Sequence, residues 1–130
     1  MILTLLHAAE VIQTLSRTRD ILIGGLGLDT LNGGTNDYIL IAGSTTSDAV
    51  VVNLLAMQAE WISANAYATR ITNLRAGVGS PAVSLKRTIN VFNDAGEDDN
   101  LTGGLGTDWY FRALDDVITD LLAGETIDAL

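Results

Sequence analysis

Two nine-residue segments of the chain follow one pattern, G-G-x-G-x-D-x-U-x, in which U is a large apolar residue. They run from Gly24 to Asn32 and from Gly103 to Phe111. Glycine at the first, second and fourth places permits positive φ and a backbone path that a Cβ would obstruct. The aspartate places a carboxylate at the end of the turn. The pattern therefore predicts a tight glycine turn that leads into a short strand, twice in one chain.

Degenerate copies of the pattern flank the two full ones. Asp20 to Ile23 reads as the last third of a repeat. Gly33 to Ile41 fits the pattern if one glycine is missing before Asn36, which makes Asp37 the acidic position. Two further turns of this kind are read at 42–47 and at the acidic segment 93–99.

Outside the repeats, the spacing of apolar residues predicts helices in three places. The first is a short amphipathic helix over about Thr4 to Ser16. The second begins after Ser47, a good N-cap residue. The third runs from about Ala64 to Arg75 and ends at Gly77. Alternation from Thr88 to Phe92 predicts a strand.

Composition limits the classes of partner and of chemistry. Sixteen acidic and seven basic residues give a net charge of −9, which argues against nucleic acid or an anionic membrane as partner and favours cations. The chain has no cysteine and one histidine, His7, so disulfides, zinc sites and catalytic triads lack their usual residues. No apolar run is long enough for a membrane span, and the start lacks the basic region of a signal peptide.

Taken together, the repeats and the C-terminal segment from Asp116 to Asp128 resemble the C-terminal region of secreted bacterial proteins of the repeats-in-toxin (hemolysin-type) family. The resemblance covers residues 20–47 and 93–128. It implies a mainly β fold with a helical insertion: a short parallel β-roll (β-solenoid) with an N-terminal helix and a two-helix excursion packed on it. It also implies Ca²⁺ in the glycine turns, type I secretion, and a secreted, extracellular or cell-surface location.

We expect one domain over residues 1–130, in four parts. These are an N-terminal helix or cap (1–19), the first β-roll repeats (20–47), a helical insertion (48–77), and the returning strands, second repeats and tail (78–128). The implied coil holds two repeats, so each turn stacks on the next turn but one. Because turn 42–47 is a poor partner for turn 24–29, we expect the helices to loop out and to bring the later repeats back onto the roll. We predict that turn 33–37 stacks on 94–99, and that turn 103–108 joins the side of 24–29.

The expected ligand is Ca²⁺, which takes roughly 6 to 8 oxygen ligands at about 2.3 to 2.6 Å. One turn cannot supply so many, so two turns must share an ion. The carboxylate ligands would be Asp29, Asp37, Asp99 and Asp108, joined by turn carbonyls. The full set of expected metal-site residues is Gly24, Gly25, Gly27, Asp29, Asn36, Asp37, Asp99, Gly103, Gly104, Gly106 and Asp108.

Simpler interpretations compete with each of these. The glycine turns also suit a structural corner that binds nothing. A dinucleotide fingerprint after Ile23 fails because Thr30 stands where its third glycine belongs. The acidic cluster 97–99 suits a solvated or calcium-facing turn better than acid-base catalysis. Trp61 and Tyr67 suit helix packing better than a carbohydrate platform.

Three functions from different classes remain. The leading one is a non-enzymatic, calcium-binding structural module whose further partners, by resemblance, are the remainder of a larger repeat protein and the type I secretion apparatus. The second is an adhesion or ligand-binding module, for which exposed aromatic residues at Trp61, Tyr67 and Trp109 would be diagnostic. The third is a non-catalytic fragment of a secreted hydrolase. A metal-free solenoid cap is the alternative to the calcium site itself.

Overall fold

The computed structural model describes residues 4–5, 11–13 and 19–130 of the chain. Within this part, two sheets of parallel strands lie one on the other, and the chain passes alternately between them. The first sheet holds, in spatial order, β1 (Thr4–Leu5), β3 (Ile21–Ile23), β5 (Ile39–Ile41), β9 (Trp109–Arg112) and β11 (Thr126–Ala129). The second sheet holds β2 (Val11–Gln13), β4 (Thr30–Gly34), β8 (Asn100–Gly104) and β10 (Val117–Ile118).

Strand register follows the repeats. Ile21 lies opposite Ile39, two nonapeptides later in the chain. Thr30, by contrast, lies opposite Asn100, because a long excursion separates β5 from β8. The neck of that excursion is an antiparallel pair, β6 (Ser44–Thr45) with β7 (Val91–Phe92). The later repeats therefore return to the sheets next to the earlier ones.

The excursion carries two helices, α1 (Val51–Trp61) and α2 (Tyr67–Ala76). Helix α2 ends at Gly77, which has φ of 125° and donates its N–H to the carbonyl of Asn73 at 2.8 Å. This end confirms the predicted glycine stop. Neither helix of the described residues is long and apolar enough to cross a membrane.

The core has two layers, one on each face of the first sheet. Leu22, Leu40 and Tyr110 point towards the second sheet, where they meet Leu31 and Leu101. The neighbouring strand residues point the other way and pack against the helices; this second layer includes Ile21, Ile23, Ile39, Ile41, Trp109 and Phe111 of the strands with Leu54, Met57, Trp61, Ile71 and Leu74 of the helices. Tyr110 therefore lies between the two sheets, and Trp109 lies on the opposite face under the helices.

The predicted fold class, a mainly β short parallel β-roll or β-solenoid, is wrong. The described residues form a small α/β domain with short strands in mostly parallel sheets and two helices. The physical reason lies in the outer face of the first sheet, which the helices bury completely at Ile21, Ile39 and Trp109. A parallel sheet covered on both faces needs continuous apolar strands, and the strands Ile21–Ile23 and Ile39–Ile41 have that composition.

Three local predictions are also corrected. The N-terminal helix is wrong where the structure describes it, because Thr4–Leu5 and Val11–Gln13 are strands; the rest of that segment lies outside the described residues. Helix α1 begins after Val50, without a side-chain cap, so Ser47 is not its N-cap. The predicted strand over 88–92 is reduced to its last two residues.

Candidate functional site

The glycine turns meet at two corners of the paired sheets. Corner I consists of turns 24–29, 94–99 and 113–116, and corner II consists of turns 33–37, 103–108 and 120–125. In corner I, the N–H of Asp29 donates to Oδ1 of Asp99 at 2.7 Å. In corner II, the N–H of Tyr38 donates to Oδ1 of Asp108 at 2.7 Å. Each repeat aspartate thus lies against the backbone of the turn stacked on it.

These pairings correct the predicted stacking. Turn 33–37 lies on 103–108, with Gly34 opposite Gly104, and not on 94–99. Turn 94–99 lies on 24–29, the position predicted for 103–108. The reason is the register of β4 with β8. Because Thr30 lies opposite Asn100, the turns before these two strands stack on each other, and so do the turns after them.

The first glycine of each full repeat lies under the aspartate of the same turn. A Cβ at Gly24 would overlap the carboxylate of Asp29, and a Cβ at Gly103 would overlap that of Asp108. The second and fourth glycines have positive φ, between 89° and 110°, at Gly25, Gly27, Gly104 and Gly106. Both full repeats therefore require glycine for geometry, whether or not an ion is bound.

Corner I concentrates buried carboxylates. Asp29 and Asp99 are 0% exposed, and Asp94 is 8% exposed. The N–H of Asp99 donates to Oδ1 of Asp116 at 3.0 Å, which continues the series of carboxylate-to-amide bonds. Oδ2 of Asp99 and both carboxylate oxygens of Asp94 have no hydrogen-bond partner among the described residues. These oxygens are available as ligands.

Burial governs the protonation of corner I. It raises the pKa of Asp99 to about 7, and the negative charges of Asp94, Asp116 and Asp29 add to the rise, against the hydrogen bond from the Asp29 amide. Burial also raises the pKa of Asp94 and that of Asp116. A desolvated carboxylate beside other carboxylates favours its neutral form unless a cation compensates it.

Corner II is built around Asp108, which is 0% exposed. Its Oδ2 has no hydrogen-bond partner among the described residues. Its N–H donates to Oε1 of Glu125 at 3.3 Å, while Asp120 accepts the N–H groups of Gly103 and Gly104 at 3.0 and 2.7 Å. Burial, with Glu125 and Asp120 nearby, raises the pKa of Asp108 to about 8. Burial raises the pKa of Tyr110 as well.

Asp37 has a different environment from the other predicted ligands. Its Oδ2 pairs with Nη2 of Arg70 at 2.6 Å and lies 3.6 Å from Nε of Arg19. Its Oδ1 accepts the N–H of Thr107 at 2.9 Å. The backbone of the neighbouring Asn36 packs against the stacked turn, since a Cβ at Gly106 would overlap the Asn36 carbonyl. A carboxylate neutralised by a buried guanidinium is a poor metal ligand, so Asp37 here joins the helices to the sheets.

Arg70 is the centre of that connection. It is 2% exposed, donates to the carbonyls of Trp61 and Asn65, and lies 4.4 Å over the Trp61 ring. Trp61 in turn packs against Trp109, and both are 0% exposed. The prediction that the helix aromatics pack onto the sheets is confirmed, and of the aromatic cluster that would favour an adhesion module Trp61 and Trp109 are buried and Tyr67 is partly buried.

The arrangement sets the number of carboxylates that one ion would meet. Within the described ranges, no three or more His, Asp or Glu side chains are placed to hold a metal ion. An ion at either corner would therefore depend on turn carbonyls as well as on Asp99 or Asp108. Four carboxylates of these corners were not predicted as site residues: Asp94, Asp116, Asp120 and Glu125. The C-terminal tail repeats the spacing of the acidic residues without the glycine pattern. That spacing was the sequence signal from which the tail carboxylates could have been predicted.

Comparison with known proteins adds no family to this geometry. No protein-family model, no curated protein and no solved structure matches the chain.

Proposed function

We propose that the chain is a calcium-binding structural module, in which Ca²⁺ at each corner links the glycine turns that are stacked there. The observation that carries the proposal is the pair of fully buried aspartates, Asp99 and Asp108, each with one oxygen bound to a backbone amide and one oxygen without a partner among the described residues. The sequence resemblance to the repeats-in-toxin family supports the same proposal. By that resemblance, the module belongs to a larger secreted or cell-surface protein.

Ligand chemistry favours Ca²⁺ over other metals. The corners offer carboxylate and carbonyl oxygens only, because the sole histidine is His7 and cysteine is absent. Glycine turns adapt to the irregular, high coordination of Ca²⁺, whereas Mg²⁺ demands near-ideal octahedral geometry and keeps its water. A bound cation would also offset the free-energy cost of ionising the buried carboxyl groups, because it favours their charged form.

Calcium titration by calorimetry tests the proposal. We expect heat of binding and a higher melting temperature in millimolar Ca²⁺ than in EDTA, and a smaller response to Mg²⁺. At ten times its dissociation constant, each independent site adds about 1.4 kcal/mol to the free energy of unfolding. Asp99→Asn and Asp108→Asn should each reduce the calcium response. Asp98→Asn is the matched control, because Asp98 is the exposed neighbour of Asp99.

A metal-free scaffold is the second candidate, and one observation favours it. Asp99 and Asp108 already accept backbone N–H groups of the neighbouring turn, as does Oδ1 of Asp116, while Oδ2 of Asp116 accepts the N–H of Ala113 in its own turn. Such bonds stabilise stacked turns without any ion. Equal melting temperatures in Ca²⁺ and EDTA would reject the calcium proposal and leave this scaffold.

A further inference from the structure

A groove beside β11, the edge strand of the first sheet, forms a basic surface on this acidic chain. It lies between the loop after α2 and the last strand, and it has a volume of about 530 Å³. Its lining includes the charged residues Arg75, Lys86, Arg87 and Asp128 and the apolar residues Ile89 and Ile127. Three of the seven basic residues of the chain therefore line one groove.

Two of these cations have no carboxylate partner among the described residues. Arg75 pairs with Asp128 at 2.6 Å, but Lys86 and Arg87 make no salt bridge with any described residue. Both are exposed. In a chain with sixteen acidic residues, adjacent cations without carboxylate partners indicate a place where an outside anion can bind. The exposed side chain of Ile89, beside them, adds an apolar contact.

The loop that presents the two cations is rigidly held. The N–H of Lys86 donates to Oδ1 of Asn90 at 2.6 Å, and the Lys86 carbonyl accepts from Ile89, Asn90 and Val91. Thr88 has φ of 62°, which is unfavourable for a β-branched residue. Strained residues of this kind cluster at ligand-binding sites. A preorganised loop also lowers the entropic cost of binding.

The other wall of the groove is an edge of the first sheet, at which Nη1 of Arg87 donates to the carbonyl of Ala129 at 3.4 Å. Strand β11 is the last strand of its sheet. The N–H groups of Thr126 and Leu130 bond to the β9 side, to the carbonyls of Asp108 and Arg112. Because successive backbone groups alternate in direction, the N–H groups of Ile127 and Ala129 face the open side. An open edge of this type accepts an additional strand.

We propose that this groove binds an extended acidic peptide segment of a partner protein, which adds a strand to β11 and places its carboxylates on Lys86 and Arg87. The acidic segment of a second copy is not the better occupant, because Asp94 and Asp99 of that segment are buried in corner I. The inference is independent of calcium: peptide binding without a calcium response would uphold it while rejecting the proposed function.

Fluorescence anisotropy with a labelled nine-residue peptide of alternating glutamate and threonine, in 150 mM salt, tests the inference. We expect binding to wild type and at least tenfold weaker binding to the double variant Lys86→Gln, Arg87→Gln. The matched control is the charge-preserving double variant Lys86→Arg, Arg87→Lys, which should retain binding. Both positions are exposed, so the variants should fold as wild type does.

Strand addition is tested separately from charge. N-methylation of alternate peptide residues should abolish binding in one register and spare it in the other, and the amides of Ile127 and Ala129 should gain protection from hydrogen exchange. Binding that ignores N-methylation in both registers would overturn the inference in favour of a simple anion site. Equal binding of a lysine-for-glutamate peptide, or self-association of the chain through this edge, would also overturn it.

Discussion

Replacing Asp99 with asparagine should stabilise the protein when calcium is absent. Asp99 is 0% exposed, and its Oδ1 accepts the Asp29 amide at 2.7 Å. The asparagine Oδ1 can keep that bond, while the buried negative charge disappears. The substitution therefore separates the two roles of the side chain: it preserves the link between the turns and removes the charge that a cation would need.

The size of the effect follows from the pKa. A carboxyl group with a pKa of about 7 in the folded chain, against an ordinary 3.8, costs about 4 kcal/mol to hold ionised at pH 8. The new amide nitrogen replaces Oδ2, which has no partner among the described residues, and a buried donor without an acceptor costs about 1 to 3 kcal/mol. The net expectation is a stabilisation of roughly 1 to 3 kcal/mol, or about 4 to 12 °C in melting temperature.

Differential scanning calorimetry at pH 8 in EDTA and in millimolar Ca²⁺ measures this difference. In EDTA the Asp99→Asn variant should melt above wild type, and in Ca²⁺ the gap should close or reverse, because only wild type gains from the ion. Asp98→Asn should melt as wild type does in both buffers. A variant that melts below wild type in EDTA would show that the Asp99 charge is not a liability in the folded chain and would refute the reasoning.

Three further outcomes are expected. Because the pKa values of Asp99 and Asp108 are raised to about 7 and about 8, the folded chain binds more protons than the unfolded chain between pH 5 and 8, so the melting temperature in EDTA should fall across that range; a rise would contradict these pKa values. Arg70→Met removes the closer of the two cations from the partly buried carboxylate of Asp37 and leaves only Arg19 at 3.6 Å, so it should cost about 3 kcal/mol in urea unfolding; a cost under about 1 kcal/mol would mean that the pair contributes no more than a surface contact. Gly104→Ala should destabilise more than Gly96→Ala, since both have positive φ but only Gly104 is pressed against a stacked turn; equal melting temperatures would deny close stacking.

The local elements that could be predicted from sequence are those whose signals lie within one repeat or one helix. The nonapeptides give both pairs of turn and strand, with Leu31 and Tyr110 inside, because glycine geometry and the alternation of a strand are short-range properties. Helix α2 and its end at Gly77 follow from similar local rules. The role of Trp61 as a packing residue was predictable from its spacing with Tyr67 in a helix, whereas the burial of Trp109 depends on the helices that cover the sheet.

Elements that depend on distant partners were not predictable in the same way. The spacing of Leu5 and Ile12 fits a helix, yet β1 and β2 are strands because they pair with β3 and β4. Tertiary pairing overrides such weak local preferences. Likewise, turn 103–108 carries no mark that assigns it to 33–37. Only the register across the long excursion decides that choice.

The role of Asp37 shows how this affects the candidate site. By its place in the repeat it is equivalent to Asp29 and Asp108, and the sequence pattern treats all three as ligands. The helical excursion changes that equivalence, because it brings the buried guanidinium of Arg70 to within 2.6 Å of one of them. A permanent cation from the chain then neutralises Asp37, as a bound ion would neutralise the others. Arg70 therefore links corner II to the helices through Asp37. Asp99 in corner I and Asp108 in corner II still require an outside cation or a proton.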